Sequence, residues 1–424
     1  MLISSLLHLR QLRKNQWLHP NRLAEIQRSK LVRMIRHAYA NVRYYRRLFD
    51  SAGITPEDIK TTADLTKIPI TSRSVLQRQS MEEMVASGVD LRTCKKITTA
   101  GSSGAPLTVF LTQRDSSYYD MVWARASLEN GRRLRDRAAH FKFHSPPKLW
   151  HQALGIWRKE ILSLLDAPAT LIARLRLISP DILAGNPFEL LTIARYIIEN
   201  NVKGISPRWV LARGSLLDAH AREIIESAFH ARVIDFYGAT EVGCIAWECY
   251  ERRGYHLKID SVILEVITEG RKARPEEAGR IVCTALHSFA MPFIRYDLGD
   301  IGTISDEACP CGRGLPLLKS IDGRADDFFV SSDGTLCSPS VIVNQIKLIL
   351  GIAQFKIIQE SEKDFTALLA PNEHYAPETS ELLAGTLRRI MGDDIHIKVE
   401  TLEAIPADPM GKIRSLVSKV KRST

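Results

Sequence analysis

The chain has no apolar run approaching the ~20 residues that would span a bilayer. Its opening, MLISSLLHL, is apolar but short. No basic residue precedes it and no clear cleavage site follows, so it does not read as a secretory signal. Cysteine is scarce, with seven in 424 residues, an odd number that argues against a disulfide framework. No glycine loop ends in the Lys–Ser/Thr pair of a Walker motif, and no internal repeat or low-complexity tract is present. Basic stretches interleaved with aromatics, as nucleic-acid binding needs, are also missing. These absences predict a cytoplasmic protein with no nucleic-acid partner.

An apolar content of 45% and a charged content of 25% describe a soluble globular chain. At 424 residues it is too long for one ordinary core, so two or three domains are expected. The net charge of +10 is uneven: residues 1–50 carry eleven Lys/Arg against Glu25 and Asp50, a net +9. Apolar residues from Leu23 to Phe49 recur at helical spacing, which predicts one long amphipathic helix over about 20–50, stopped by Gly53 and Pro56. The simplest reading of the charge is a solvated helix face. An acidic carrier protein and an anionic membrane surface stay open as partners of residues 1–50, the second making the protein peripheral to the membrane. A homodimer also stays open.

Strands are expected at Lys96–Thr99 and Pro106–Thr112, around a glycine loop, and at the buried runs VIDFY and RIVCTAL. Helices are expected near 113–130, 188–200 and 217–229, with Asp218 a cap or first-turn acid for the last. This alternation predicts α/β layers. After Gly323 the pattern changes to AQFKIIQ, DFTALLA, a helix over 377–391 and IHIKVET, a small α+β unit. The fold class is therefore α/β: a large multi-layer N-terminal α/β domain over 1–325 and a small mobile C-terminal α+β domain over 326–424.

Several short segments carry chemistry. In TTAGSSGAPLTV, Gly101 and Gly104 permit positive-φ turns and close backbone approach, while Ser102 and Ser103 offer hydroxyl donors to phosphate oxygens. Alone, this loop reads more simply as a hairpin turn. YGATE, Tyr237 to Glu241, follows the strand VIDFY. RYDLGD supplies Asp297 and Asp300, and a carboxylate suits a vicinal diol. IDGRADD holds Arg324 and Asp326, and PMGKIR holds Lys412, which by itself is equally a solvated lysine of a basic tail.

In this order the segments resemble the adenylate-forming superfamily, and within it the phenylacetate–coenzyme A ligases and their CapK-like relatives. The resemblance runs from about residue 20 to the end. It implies activation of a small carboxylic acid with ATP through an acyl-adenylate, then transfer to a thiol such as coenzyme A. It implies that Gly101, Ser102, Ser103 and Gly104 wrap polyphosphate. Tyr237 then stacks on the adenine, and Gly238 belongs to the cofactor-binding set. Thr240 bonds the α-phosphate and Glu241 carries Mg2+. Asp300 bonds the ribose hydroxyls, Arg324 is a second ribose or phosphate contact, Asp326 is the hinge of the small domain, and Lys412 neutralises charge in the adenylation step. Lys412, Thr240 and Glu241 are the catalytic set on this reading. The chain departs from the family pattern at Ala100 and Ala105, where a hydroxyl and often a lysine are usual, which bears on ATP affinity. Two other readings stay open: an adenylyltransferase or acyl/amide synthetase that transfers to a cofactor, amine or carrier protein, and a non-catalytic relative.

Cys249, His256, Cys309 and Cys311 make a Cys₃His set suited to structural Zn2+, against free thiols and a core histidine. Similar sets occur in some proteins resembling phenylacetate ligases. Cys244 is expected to be a packed residue. His140, His144 and His287 have no assignment beyond structure. The walls of an acid pocket are expected around Gly185–Asn186–Pro187, Gly214 and Phe236.

Overall fold

A computed structural model describes residues 2–99, 107–142, 150–164, 166–324, 329–333, 336–337, 339–346, 348–405 and 415–420. The chain divides into two compact units, Met1–Leu298 with Thr303–Ser320, and Gly299–Gly302 with Ile321–Thr424.

The first unit opens with helices α1 (Leu2–Asn15), α2 (Pro20–Asn41) and α3 (Arg43–Ser51). The single helix expected over 20–50 is thus broken. Val42 adopts an extended conformation between α2 and α3 (φ −116°, ψ 111°) and is buried. A β-branched residue accepts that geometry readily, and the Asn41 amide turns back to the His37 carbonyl at 3.0 Å, competing with helix continuation. The helix α1 was not expected. It is docked by Arg125, whose guanidinium is fully buried in a bidentate pair with Asp260 (2.8 and 2.9 Å) and donates to the Leu12 carbonyl at 3.0 Å. The basic N-terminal segment is therefore a helical layer with a buried face of Leu12, Leu23, Leu31, Met34 and Ile35. Several of its charges are paired, including Arg13 with Glu129 and Arg47 with Glu83, each at 2.7 Å.

Short helices α4 (Arg73–Gln77) and α5 (Met81–Met84) lead to the antiparallel pair β1 (Lys95–Thr98) and β2 (Thr108–Leu111). Next come α6 (Gln113–Glu129), β3 (Arg137–Lys142), α7 (Trp150–Ala153), β4 (Arg158–Ser163), α8 (Pro168–Ile178), β5 (Ile182–Gly185), α9 (Pro187–Glu199), β6 (Trp209–Arg213), α10 (Ala219–Phe229) and β7 (Arg232–Ala239). Strands β8 (Gly243–Glu248), β9 (Tyr255–Leu257), β10 (Val262–Thr268), β11 (Arg271–Lys272), β12 (Ala278–Ala285), β13 (Tyr296–Ile304) and β14 (Leu317–Arg324) follow. They form one sheet in the order β11-β10-β12-β13-β14-β9-β8-β7-β6-β5-β3-β4. Gly299–Gly302 of β13 and Ile321–Arg324 of β14 are counted with the second unit.

From β4 through β3, β5, β6 and β7 the sheet is parallel, and β8 returns antiparallel. Side chains alternate across the parallel half as the pleat requires. Ala139, Leu183, Val210 and Val233 face a core with Leu171, Leu190, Ile193, Ile225 and Phe229 of α8, α9 and α10. Ala138, Ile182, Trp209, Leu211, Ile234 and Phe236 face Val122 and Ala126 of α6. With helices on both faces, these strands are nearly continuous apolar runs. Their carboxyl ends remain the natural place for a ligand.

The second unit holds β15 (Phe329–Val330), β16 (Leu336–Cys337), α11 (Pro339–Ile346), β17 (Ile352–Gln359), β18 (Asp364–Pro371), α12 (Pro377–Met391), β19 (His396–Thr401) and β20 (Leu416–Ser418). Its four-stranded sheet runs β19-β18-β17-β20 around a core of Ile346, Ile357, Phe365, Leu369, Leu383, Leu387 and Met391. Among the described residues no helix is long and apolar enough to cross a membrane.

Candidate functional site

Strand β7 delivers Tyr237–Ala239 to a tight turn, Thr240–Val242, from which β8 returns. The ladder shifts register between Tyr237 and Gly238, a bulge that re-aims the turn. Gly238 is required there, because a Cβ would lie 2.4 Å from the Gly243 carbonyl oxygen. Thr240 is part-buried. Glu241 is buried, and its carboxylate accepts the Tyr296 hydroxyl at 2.9 Å. A buried acid fixed by one hydrogen bond is a preformed, oriented ligand for a cation or a hydroxyl.

Below this turn, at the carboxyl ends of β3, β5, β6 and β7, lies a cavity of about 290 Å³. Gly185, Asn186, Gly214 and Phe236 line it, as expected, together with Gly238 and Thr240. Asn186 caps α9 by accepting the Phe188 N–H at 3.1 Å, while Glu189 accepts the Asn186 N–H at 2.9 Å. The reciprocal cap fixes that wall. Tyr119, Trp123, His140 and Arg213 also line the cavity, with Phe141, Ala184, Glu189 and Ala239, and none of these is among the walls expected from the sequence. The usable signal was position: His140 and Arg213 each lie at or near the carboxyl end of a parallel strand, where α/β sheets bind ligands. Burial pushes His140 well below the usual imidazole range, and the charges of Arg213, Lys159, Arg132 and Lys142 push it the same way. His287 lies elsewhere, buried against Tyr118 and bonded at Nδ1 to the Ser261 carbonyl at 3.2 Å.

Within the second unit, Arg324 approaches Asp300 at 3.8 Å. Gly299, next to Asp300 in the chain, has φ +73°, and a Cβ there would meet the Arg324 guanidinium at 2.7 Å. Asp297 is engaged by Arg280 at 2.5 Å, which leaves Asp300 as the acid beside Arg324.

Gly101, Ser102, Ser103 and Gly104, with Ala100 and Ala105, lie outside the described residues, as do Asp326, His144 and Lys412. The flanks of the glycine loop are described. The Leu107 N–H donates to the Thr99 hydroxyl at 2.9 Å and the Thr99 N–H to the Leu107 carbonyl at 2.9 Å, while Arg73 donates to that hydroxyl at 2.7 Å.

The Cys/His set does converge. Donor atoms of Cys249, His256, Cys309 and Cys311 all lie within 4.8 Å of one another. Cys249 follows β8, His256 is in β9, and the two remaining cysteines form the turn before β14. Cys249 and Cys309 sulfurs are 3.7 Å apart, and Cys311 sulfur is 3.3 Å from His256 Nε2. A tetrahedral zinc with Zn–S of about 2.3 Å needs S···S edges of roughly 3.8 Å, so the set fits the ion. Burial lowers His256 to about 4, leaving a neutral ring with a lone pair to give. Burial also pushes Cys309 up to about 12 and raises Cys249; at Cys311 it acts upward too, but hydrogen bonds with Arg313 outweigh it and hold that thiol below its usual value. Cys244 is buried in the apolar core, as expected of a packed residue.

The family described as the CapK C-terminal domain matches residues 329–419. A phenylacetate-coenzyme A ligase of Thermus thermophilus is 27% identical over 326 residues, covering 73% of this chain and 72% of that protein. Protein CapK of Staphylococcus aureus is 20% identical over 417 residues, covering 95% and 90%. Among solved structures, 2-hydroxyisobutyryl-CoA ligase in its postadenylation state, in complex with R3-HIB-AMP, superposes with a TM-score of 0.81 at 19% identity. That likeness covers 96% of this chain and 92% of the other, and it shows the fold.

Proposed function

We propose, from a chain that is a relative of phenylacetate–coenzyme A ligases and CapK and has the fold of an adenylate-forming ligase, that it is an acid–thiol ligase. ATP and a small carboxylic acid form an acyl-adenylate with release of pyrophosphate. Coenzyme A sulfur then attacks the acyl carbon and AMP leaves. The observation that carries this reading is the Tyr237–Glu241 turn, with its buried, Tyr296-held carboxylate, set over a cavity of acid size.

On this reading Thr240 bonds the α-phosphate and Tyr237 stacks on adenine, with Gly238 beside it. Glu241 would hold the Mg2+ that accompanies the nucleotide and offsets phosphate charge. Asp300 and Arg324 take the ribose. Gly101, Ser102, Ser103 and Gly104 wrap polyphosphate, and Lys412 neutralises the charge that builds as the acid's oxygen reaches phosphorus. The C-terminal domain over 326–424 turns about Asp326 between the two half-reactions. The Cys249, His256, Cys309, Cys311 set would hold a structural Zn2+, because four protein donors leave no open coordination position. The protein is cytoplasmic. Its basic helical layer is the surface for an acidic carrier protein or an anionic membrane, and a homodimer is a separate reading not tied to that layer.

The test is ATP–pyrophosphate exchange against a panel of aromatic and aliphatic acids, followed by coenzyme A-dependent release of AMP with the best of them. Exchange without a coenzyme A response would favour transfer to an amine, cofactor or carrier protein. Absence of exchange with every acid would leave only a non-catalytic relative.

A further inference from the structure

We propose that the acid activated here carries a second anionic group, held inside the cavity by Arg213 and His140. The proposal rests on the adenylation reading above and adds a substrate class to it.

Arg213 ends β6 beside Gly214 and lines the cavity. Among the described residues its guanidinium makes no hydrogen bond and no ion pair; it sits over the Trp123 ring at 5.5 Å. Glu189 is the one acid among the described lining residues, and its carboxylate already caps Asn186. Glu189 acts on Arg213 electrostatically but no hydrogen bond to it is formed, and a buried guanidinium without a bonded acceptor is costly until an anion enters; its fork suits a carboxylate or a phosphate. His140 gives the second observation. It is only 6% exposed, yet its buried Nε2 has no hydrogen-bond partner.

The surroundings favour an anion as well. Burial lowers Lys142 and Lys159, and the positive charge of Arg213 adds to the effect at both. Arg213, Lys159, Arg132 and Lys142 all act on His140 in the same sense. Four cations that depress one another or a shared neighbour define a positive potential that an entering anion relieves.

His140 lies away from the Thr240 turn, while Arg213 on β6 is one strand from it. His140 is on β3 and Thr240 follows β7, three strand steps apart in the order β7-β6-β5-β3. At about 4.8 Å per step the two strands are roughly 14 Å apart, a backbone gap that the side chains reaching in from both strands narrow toward the reach of a small acid with a charge at each end. Between them Trp123, Phe141 and Phe236 provide an apolar bed for the spacer. A single-headed apolar acid would fill the bed and leave the guanidinium and the imidazole unmatched, which is how a polar site rejects an analogue lacking its partner group.

The experiment compares matched acids: 4-carboxyphenylacetate with 4-methylphenylacetate, and adipate with hexanoate. ATP–pyrophosphate exchange is measured for wild type, Arg213→Met, Arg213→Lys and His140→Phe. Wild type should prefer the doubly acidic member by about 10- to 100-fold in kcat/KM, the scale of one charge-assisted hydrogen bond. Arg213→Met should bring the ratio toward one through KM for the acid, and Arg213→Lys should recover part of it. Calorimetry with the same acids and a non-hydrolysable ATP analogue reads the pocket even if exchange fails, so loss of the adenylation reading and loss of this one are distinguishable. Tighter binding of the doubly acidic members that is lost in Arg213→Met upholds the proposal. No tighter binding of those members overturns it. A rise in KM for ATP with every acid alike also overturns it, because the guanidinium would then serve the nucleotide.

Discussion

The Cys/His cluster and the cavity occupy the same sheet and differ in how their polar groups are spent. Around Cys249, His256, Cys309 and Cys311 the donors face one another within 4.8 Å, and their backbone neighbours are strands β8, β9 and the turn before β14. In the cavity of about 290 Å³, Arg213 and His140 are lining residues, and neither the guanidinium nor the buried His140 Nε2 has a hydrogen-bond partner among the described residues. The first arrangement is closed around a point and suits an ion that never leaves. The second is open, with its charge balance incomplete, and suits a ligand that comes and goes. Closure and incompleteness, more than residue type, separate a structural from a functional polar cluster here.

The largest expected effect tests whether the open region is completed from elsewhere in the chain. Lys412→Ala should lower adenylate formation by about 10²- to 10³-fold, the scale of losing one contact to developing charge. Thiolysis of a preformed adenylate should change far less, measured by single-turnover release of AMP. Equal losses in both half-reactions would remove Lys412 from its assigned role. Next comes Gly238→Ala. The added Cβ meets the Gly243 carbonyl oxygen at 2.4 Å, so the turn carrying Thr240 and Glu241 must move. A displacement of that kind costs about 10²-fold in rate. Zinc content of the variant, by mass spectrometry of the native protein, should match wild type. Coupled loss of metal and activity would show that the two regions are one unit, and the contrast between them would fail.

The same contrast explains what the sequence made legible. The Tyr237–Glu241 turn and the Cys/His set are each built from one or two short segments, so their spacing announces them. Helices over 113–129, 187–199 and 219–229 were also readable, because each buries one stripe and two begin at Asn186 or Asp218 caps. The cavity draws its walls from α6, β3, β5, β6, β7 and the turns after them, so no window of sequence contains it. Arg213 is visible in LARGS but says nothing until Trp123 is brought beneath it. The break at Val42 escaped periodicity because the apolar spacing of α2 and α3 continues in phase while the backbone does not. Helix α1 escaped because its anchors, Arg125 at the Leu12 carbonyl and Asp260 at the Asn15 amide, are far away in sequence.

A middle-sized effect belongs to the closed cluster. Cys309→Ser with Cys311→Ser removes two of four donors, so the purified protein should fall from about one zinc per chain to none. Thermal stability should drop before chemistry does, since the energy of a structural zinc is folding energy. Metal analysis and melting curves on wild type and variant decide it. A wild type that is fully folded and metal-free would remove the zinc site and turn the cluster into buried thiols beside a histidine.

The smallest effect concerns a second buried histidine, bonded at one ring nitrogen and, like His140, without a hydrogen-bond partner at Nε2. His287 is buried and lowered to about 4, chiefly by burial, with Lys30 adding to the shift and the Ser261 carbonyl, Asp115 and Asp260 opposing it. Its folded value lies below the ordinary 6.5, so the unfolded chain binds a proton first as pH falls. The neutral ring therefore contributes its full stability above pH 6.5 and loses it progressively as pH drops toward 4. The loss is at most about 3 kcal/mol, from a shift of that size at 1.36 kcal/mol per unit. His287→Leu should flatten this acid limb while costing some stability at pH 7, where the bond to Ser261 and the packing against Tyr118 are lost. Melting temperatures of both proteins between pH 4 and 8 provide the measurement. A variant with an undiminished acid limb would assign that lability to other groups, and would leave His287 and His140 alike in burial but different in their consequences.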